Sequence, residues 1–134
     1  KLSRKIELDH ASLFGKWDKE TELIVFNPPW LPASHDLDKI DEAIYYNEEL
    51  FPEFFSEAKK RLLPDGRLVL MFSNLAQITG VSDVNPIKEE LEKGGRFKLD
   101  LFLKKGVSSA SEKTKRDLSR REEEEVELWV LSHK

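Results

Sequence analysis

The residues of this sequence whose types and spacing could do chemistry are Asn27-Pro28-Pro29-Trp30. The Asn27 side-chain oxygen and the Pro28 backbone carbonyl are two acceptors close together in the chain, and one NH2 group could donate to both. An amide or aryl amine nitrogen is a poor nucleophile because its lone pair is delocalised. Chemistry at such a nitrogen needs it held in place and needs support for the charge that develops on it. Two consecutive prolines fix the backbone and preorganise the acceptors. Trp30 adds a flat face for a planar target, and stacking of a base on such a face is worth about 1–3 kcal/mol. The bland alternative is a turn: Asn-Pro and Pro-Pro pairs end strands, and Trp30 would then serve only the core.

The elements that must position this peptide are legible on either side of it. Leu23-Ile24-Val25-Phe26 is apolar at every position, the pattern of a strand buried on both faces of a parallel sheet, and it stops at the prolines. Residues 50–63 read as a helix, with Leu50, Phe51, Phe54, Phe55, Ala58 and Leu62 on one face. Pro52 suits its first turn, and Lys59, Lys60 and Arg61 suit the dipole at its last. Pro64-Asp65-Gly66 predicts a turn, and residues 67–73 a second fully buried strand. Asn85 and Pro86 predict the cap and first position of another helix, with Ile87 and Leu91 as its apolar stripe and Gly94-Gly95 as its stop. Phe97, Leu99, Leu101 and Leu103 alternate with Lys98, Asp100, Phe102 and Lys104, a strand with one drier face, and residues 126–131 form the last strand. Residues 5–8 alternate as a short first strand, and residues 36–47 read as a polar connection with one helical turn. Residues 105–125, rich in Ser, Lys, Arg and Glu, are too long for a tight hairpin and are expected to be mobile or to order on binding. The order of elements gives an α/β class with parallel strands and an antiparallel final pair. Ligands of open α/β sheets sit beyond the carboxyl ends of strands, which again points to Asn27.

At 134 residues the chain is expected to be one domain, 1–134. It has no cysteine, which excludes a disulfide scaffold, a thiolate metal site and a cysteine nucleophile. The net charge of −4 argues against nucleic-acid binding through bulk positive charge. The longest apolar run, residues 68–72, is far short of the roughly 20 residues of a membrane span. No signal-peptide pattern opens the chain, so a soluble, cytoplasmic protein is expected, with no membrane contact. The first residue is Lys rather than Met, so the chain is expected to be a piece of something longer. His10, His35 and His133 have no metal-ligand spacing; no metal site is expected, and each is read as a solvated histidine. Asp36, Asp38, Asp41 and Glu42 read as a charged loop rather than a carboxylate site. Lys113, Lys115, Arg116, Arg120 and Arg121, followed by residues 122–125, all glutamate, read as a solvated loop, with contact to a phosphate backbone as the alternative.

The Asn-Pro-Pro-Trp peptide after an apolar strand resembles motif IV of class I S-adenosylmethionine-dependent methyltransferases that act on amide or exocyclic amine nitrogens. The stretch Leu62-Leu63-Pro64-Asp65-Gly66-Arg67-Leu68-Val69-Leu70 looks like the helix end, turn and next strand of the same fold. The resemblance covers the whole chain but only the C-terminal half of that Rossmann-like fold: parallel strands with helices, ending in an antiparallel pair. It implies S-adenosylmethionine as cofactor and Asn27, Pro28, Pro29 and Trp30 as the catalytic element, with Asn27 also touching the cofactor's amino acid end. It makes Ser12 and Leu13 cofactor candidates near the adenine, although Ser12 stands where Asp is usual, and a plain surface loop is the alternative. It makes Trp30, Tyr45 and Tyr46 candidates for the substrate pocket, against core packing for the two tyrosines.

The family's Gly-rich turn is absent: the glycines are Gly15, Gly66, Gly80, Gly94, Gly95 and Gly106, and no G-x-G exists. The resemblance therefore implies that this chain alone is inactive. It also implies that the edge of the residue 23–26 strand, where the missing half would pair, is covered by that half, by a second chain or by residues 5–8. The leading expectation is methylation of an exocyclic amine of a nucleic acid base, in RNA or DNA presented unpaired. Protein glutamine methylation of the release-factor type is the alternative, with Trp30 in place of the usual Tyr favouring a base. A non-catalytic methyltransferase-like binding module is the reading from a different class, and a small-molecule methyltransferase ranks below all three.

Overall fold

The computed structural model describes residue 8 and residues 11–33, 45–106 and 124–134. The expected strand at 5–8, the helical turn within 36–44, His10, His35, the acidic residues 36–42 and the basic stretch 113–121 lie outside these residues, Leu8 excepted, which is exposed and in no strand.

The apolar run before the prolines forms strand β1 (Thr21–Phe26), and the chain then passes through a two-residue strand, β2 (Leu31–Pro32). Strand β3 (Tyr45–Tyr46) leads into helix α1 (Leu50–Arg61). Strand β4 (Leu62–Ser73) starts directly at the helix end, and the short helix α2 (Leu75–Ile78) follows it. Helix α3 (Pro86–Glu89) continues as a wider π turn (Glu90–Gly94) before strands β5 (Phe97–Gly106) and β6 (Glu125–His133). The fold is mixed α/β: a four-stranded sheet in the order β1-β4-β6-β5, with β1 and β4 parallel and β4-β6 and β6-β5 antiparallel. The expected antiparallel final pair is therefore observed.

Helix α1 forms where its spacing placed it. Phe51, Phe54, Phe55 and Ala58 are buried against Ile24, Leu68, Leu70, Phe72 and Trp129 of the sheet. In its last turn Lys59 donates to the Arg96 carbonyl at 2.6 Å, and Arg61 pairs with Glu57 at 2.6 Å. Asn85 caps α3 as expected, its side-chain oxygen accepting from the Ile87 and Lys88 amides at 2.9 and 3.2 Å. Gly95 closes the π turn with φ +69°, a left-handed conformation that glycine adopts without cost.

Five expectations are corrected. First, β1 is not buried on both faces: Ile24 is buried, but Leu23 and Val25 are exposed because no described element covers that side of the sheet. Second, the 67–73 strand has the same one-sided burial, with Leu68, Leu70 and Phe72 inside and Met71 outside. It also begins earlier, at Leu62, so the helix stops at Arg61. Leu62 pairs with Thr21 and Arg67 with Leu23, so the Pro64-Asp65-Gly66 turn bulges out within the strand. Gly66 is required there, since a Cβ would stand 2.6 Å from the Leu62 side chain and 3.0 Å from the Glu22 carbonyl. Third, the alternating face of residues 97–103 is broken. The register shifts between Leu99 and Leu101, so the bulge turns Leu101 and Leu103 to the bare side and brings Phe102 onto Trp129, with ring centroids 4.5 Å apart. Fourth, the expected loop is shorter at both ends, because Lys105 and Gly106 pair with Val126 and Glu125; residues 107–123 lie outside the described residues. Fifth, His133 is no solvated histidine: its ring lies 6.0 Å from that of Phe97, and Nε2 is 2.7 Å from the Leu62 carbonyl.

Candidate functional site

Asn27 stands at the carboxyl end of β1, where the two prolines stop the strand from continuing. It is exposed, so its amide is open to a ligand, while Pro28 is buried and anchors the turn. Trp30 is only partly buried and packs against the core, with its indole N–H buried and without an acceptor among the described residues.

The two tyrosines come to this peptide through β2 and β3. Leu31 pairs with Tyr45 and Pro32 with Tyr46, and the Ala33 amide donates to the Tyr46 carbonyl at 2.8 Å. Tyr46 is buried, with its ring edge-on to Phe51 at 4.9 Å and 6.2 Å from Phe72. Burial, with a smaller contribution from the Glu89 carboxylate, pushes its phenol up to about 12. Tyr45 keeps part of its surface exposed. A cleft of about 630 Å³ opens next to this strip, lined by Pro32, Ala33, Tyr46, Phe51, Glu89 and Arg96 among others. On its wall Arg96 forms an ion pair with the buried carboxylate of Glu90.

The turn carrying Ser12 and Leu13 is fixed by hydrogen bonds from the Gly15 and Trp17 amides to the Ser12 and Phe14 carbonyls, both at 2.9 Å. Ser12 is exposed; Leu13 has φ +51° and packs against the core. Phe14 stacks on Phe54 at 5.7 Å, and Phe54 stacks on Phe26 at 3.9 Å. Arg61 lies over the Phe14 ring at 4.9 Å and donates to the Trp17 carbonyl at 2.7 Å. A column of three rings therefore ties the Ser12–Leu13 turn to the residue that precedes Asn27.

Sequence reasoning missed a polar cluster at the carboxyl end of β4, the strand beside β1. Ser73, fully buried, donates to Glu124 Oε1 at 2.9 Å and accepts from the Leu75 amide at 3.0 Å. Asn74 Oδ1 accepts from the Glu125 amide at 2.8 Å, linking the end of β4 to the start of β6. Glu124 is also fully buried. Nothing in a run of four glutamates marks one of them as interior, so no sequence signal could have found it.

No family model matches the sequence, and no curated protein matches it. A solved structure does: the crystal structure of ribosomal protein L11 methylase from Lactobacillus delbrueckii subsp. bulgaricus, at 18% identity and a TM-score of 0.51. The chain shares a methylase's fold. The match covers 96% of this chain and 45% of the methylase chain, so this chain spans less than half of that protein's length. Among the described residues no helix is long and apolar enough to cross a membrane, and no group of three or more His, Cys, Asp or Glu could hold a metal ion.

Proposed function

We propose that this chain is the substrate-side, C-terminal half of a Rossmann-like, S-adenosylmethionine-dependent N-methyltransferase. The observation that carries the reading is the Asn-Pro-Pro-Trp peptide at the carboxyl end of a parallel strand, with Asn27 exposed, in a sheet that shares a methylase's fold.

The residues present fit the acceptor side of such a site. Asn27 Oδ1 and the Pro28 carbonyl accept the two hydrogens of the target NH2 and aim its lone pair, and the prolines hold both oxygens without reorganisation. When bound, S-adenosylmethionine supplies an electrophilic methyl group. Forming the N–C bond would break the S–C bond and leave a neutral thioether; the positive charge developing on the nitrogen would be stabilised by the two acceptor oxygens until one N–H proton passes to water. The Ser12–Leu13 turn, tied to β1 by the ring column, is the candidate for the cofactor's adenine, and Asn27 for its amino acid end. The sequence has no G-x-G, so the rest of the cofactor site comes from outside it.

An exocyclic amine of an unpaired nucleic acid base is the substrate class proposed first, with the uncovered part of Trp30 beside it. A protein glutamine amide is the second reading; the structural neighbour is itself a ribosomal protein methylase, which speaks for a protein acceptor. The test is transfer of labelled methyl from S-adenosylmethionine by the polypeptide as the cell makes it, with RNA, DNA and total protein as acceptors and Asn27→Ala as control. Label in nucleic acid that is lost in the variant supports the first reading, and label in protein supports the second. The isolated 134-residue chain should transfer none. A full polypeptide that does not bind the cofactor would sink the enzyme reading and leave a methyltransferase-like binding module.

A further inference from the structure

The cleft of about 630 Å³ beside the β2–β3 strip lies between α1 and the segment that runs from Pro86 to Arg96. That volume is in the range of clefts that hold small organic ligands. None of residues 27–30 lines it, so it is distinct from the Asn27 peptide. Its surface is largely apolar: Phe51, Pro52 and Phe55 come from α1, and Val84 and Pro86 from the α3 side. The rings of Tyr46, Phe51 and Phe55 follow one another along it, with successive centroids 4.9 and 6.3 Å apart. Two polar side chains are almost wholly buried in this wall, Tyr46 at 9% exposure and Glu90 at 7%. Among the described residues no hydrogen bond reaches the Tyr46 hydroxyl. Glu90 bonds Arg96 through Oε1, and among the described residues Oε2 has no partner.

The backbone is shaped to keep the Glu90 carboxylate in place. Helix α3 widens into the π turn at Glu90, and Gly94 leaves the space the carboxylate fills, since a Cβ on Gly94 would overlap its oxygen. Such π turns within helices are frequent at functional sites. An apolar pair of similar volume would serve the fold as well as a buried ion pair or better, so stability does not explain the charge in this wall. Glu89 adds a second carboxylate, paired with Lys93 at 3.4 Å, and Glu48 stands exposed at the rim with no ion pair among the described residues. Three carboxylates against the cations of Lys93 and Arg96 leave the cleft with one negative charge uncompensated. That charge is felt inside: burial first, and the Glu89 carboxylate second, hold the Tyr46 hydroxyl protonated, so its oxygen faces the cleft as a neutral acceptor in a negative field.

We infer that this cleft binds an organic cation on an apolar stem, a guanidinium or ammonium group such as an arginine or lysine side chain carries. Its N–H groups bond the Tyr46 hydroxyl oxygen and Glu90 Oε2, and its stem lies on Phe51 and Phe55. Two buried oxygens without donors call for an N–H ligand, and aromatic faces with an excess carboxylate favour a charged donor over a neutral one. The same excess repels a phosphate-bearing ligand. The cation is either a free amine or a basic residue of a polypeptide, and the chemistry that recognises it is the same. The inference does not require Asn27 to be catalytic.

The test is calorimetric titration of the polypeptide as the cell makes it with four probes: butylguanidinium, its neutral isostere butylurea, a blocked tripeptide with arginine between two leucines, and adenosine monophosphate. Both cations should bind, more weakly as salt is raised, and butylurea should bind at least about tenfold more weakly than butylguanidinium. A tripeptide at least about tenfold tighter than butylguanidinium identifies a polypeptide as the source, and equal affinities identify a free amine. Tyr46→Phe keeps the ring and removes only the hydroxyl; it should weaken both cations by about three- to tenfold. Gly94→Ala, which displaces the Glu90 carboxylate, should weaken them at least as much, with thermal melts confirming that each variant is folded. Failure of both cations to bind, equal affinity for butylurea, tighter binding of the nucleotide, or undiminished binding in both folded variants would each overturn the inference. Asn27→Ala should leave cation binding unchanged while abolishing methyl transfer. Cation binding by a polypeptide that transfers no methyl refutes the enzyme reading and keeps the cleft, and methyl transfer without cation binding does the reverse.

Discussion

Phe54→Ala should be among the most damaging single changes in this chain. Phe54 is 2% exposed and makes three ring contacts: Phe26 at 3.9 Å, Phe14 at 5.7 Å and Phe55 at 5.5 Å. Truncating a buried Phe loses the transfer free energy of the ring and leaves a cavity, together about 3–5 kcal/mol. Phe26 and Phe14 sit on different segments, so no single movement refills the hole, and the upper part of that range applies. A domain of this size has on the order of 5–15 kcal/mol in all, and one with a bare sheet face belongs at the low end. With a urea slope of about 1.5 kcal/mol/M, the midpoint should fall by about 3 M, toward loss of the folded state in water. Phe54→Leu keeps most of the apolar volume and should cost only about 1–2 kcal/mol. Its local effect is the sharper test, because it removes the middle ring of the column without emptying the site. Exchange at the Gly15 and Trp17 amides, which hold the Ser12–Leu13 turn, should then speed up more than the change in global stability accounts for. A Phe54→Ala cost below about 1.5 kcal/mol would refute the packing argument. Unchanged Gly15 and Trp17 exchange in Phe54→Leu would refute the claim that the ring column fixes the turn.

Two further outcomes follow from single side chains. Asn85→Ala removes the acceptor for two amides and the donor to Glu127 Oε1 at 3.2 Å, so it should cost about 1–2 kcal/mol in urea melts, while Asn85→Ser, which keeps an uncharged cap oxygen, should recover part of that and Asn85→Asp, which sets a carboxylate against Glu127, should recover less. Tyr46, raised from 10.0 to about 12, holds its proton more tightly folded than unfolded; its contribution, on the order of 2 kcal/mol, is complete below pH 10 and lost as pH rises through about 12. Alkaline difference spectra of a Tyr45→Phe variant should show that delayed tyrosinate, Tyr46→Phe should flatten the alkaline loss of stability, and titration of Tyr46 near 10 would contradict the burial argument.

Local signals in the sequence were reliable where neighbours in the chain decide the outcome. The prolines after Phe26 end β1, Asn85 caps α3, Gly95 stops the π turn, and the period of Phe51, Phe54, Phe55 and Ala58 names the buried face of α1. The antiparallel final pair was legible because no helix pattern separates its strands. Burial was less legible. A run apolar at every position predicts two covered faces, and in β1 and β4 only one is covered within these residues. A bulge at Asp100 also defeats any alternation rule, since one extra residue reverses every later side chain. At the candidate site, Asn27 and the tyrosines were candidates by type alone, and the parallel pairing of β2 with β3 that sets the tyrosines beside Leu31 and Pro32 is too short to leave a pattern. The burial of Glu124 depends wholly on tertiary placement.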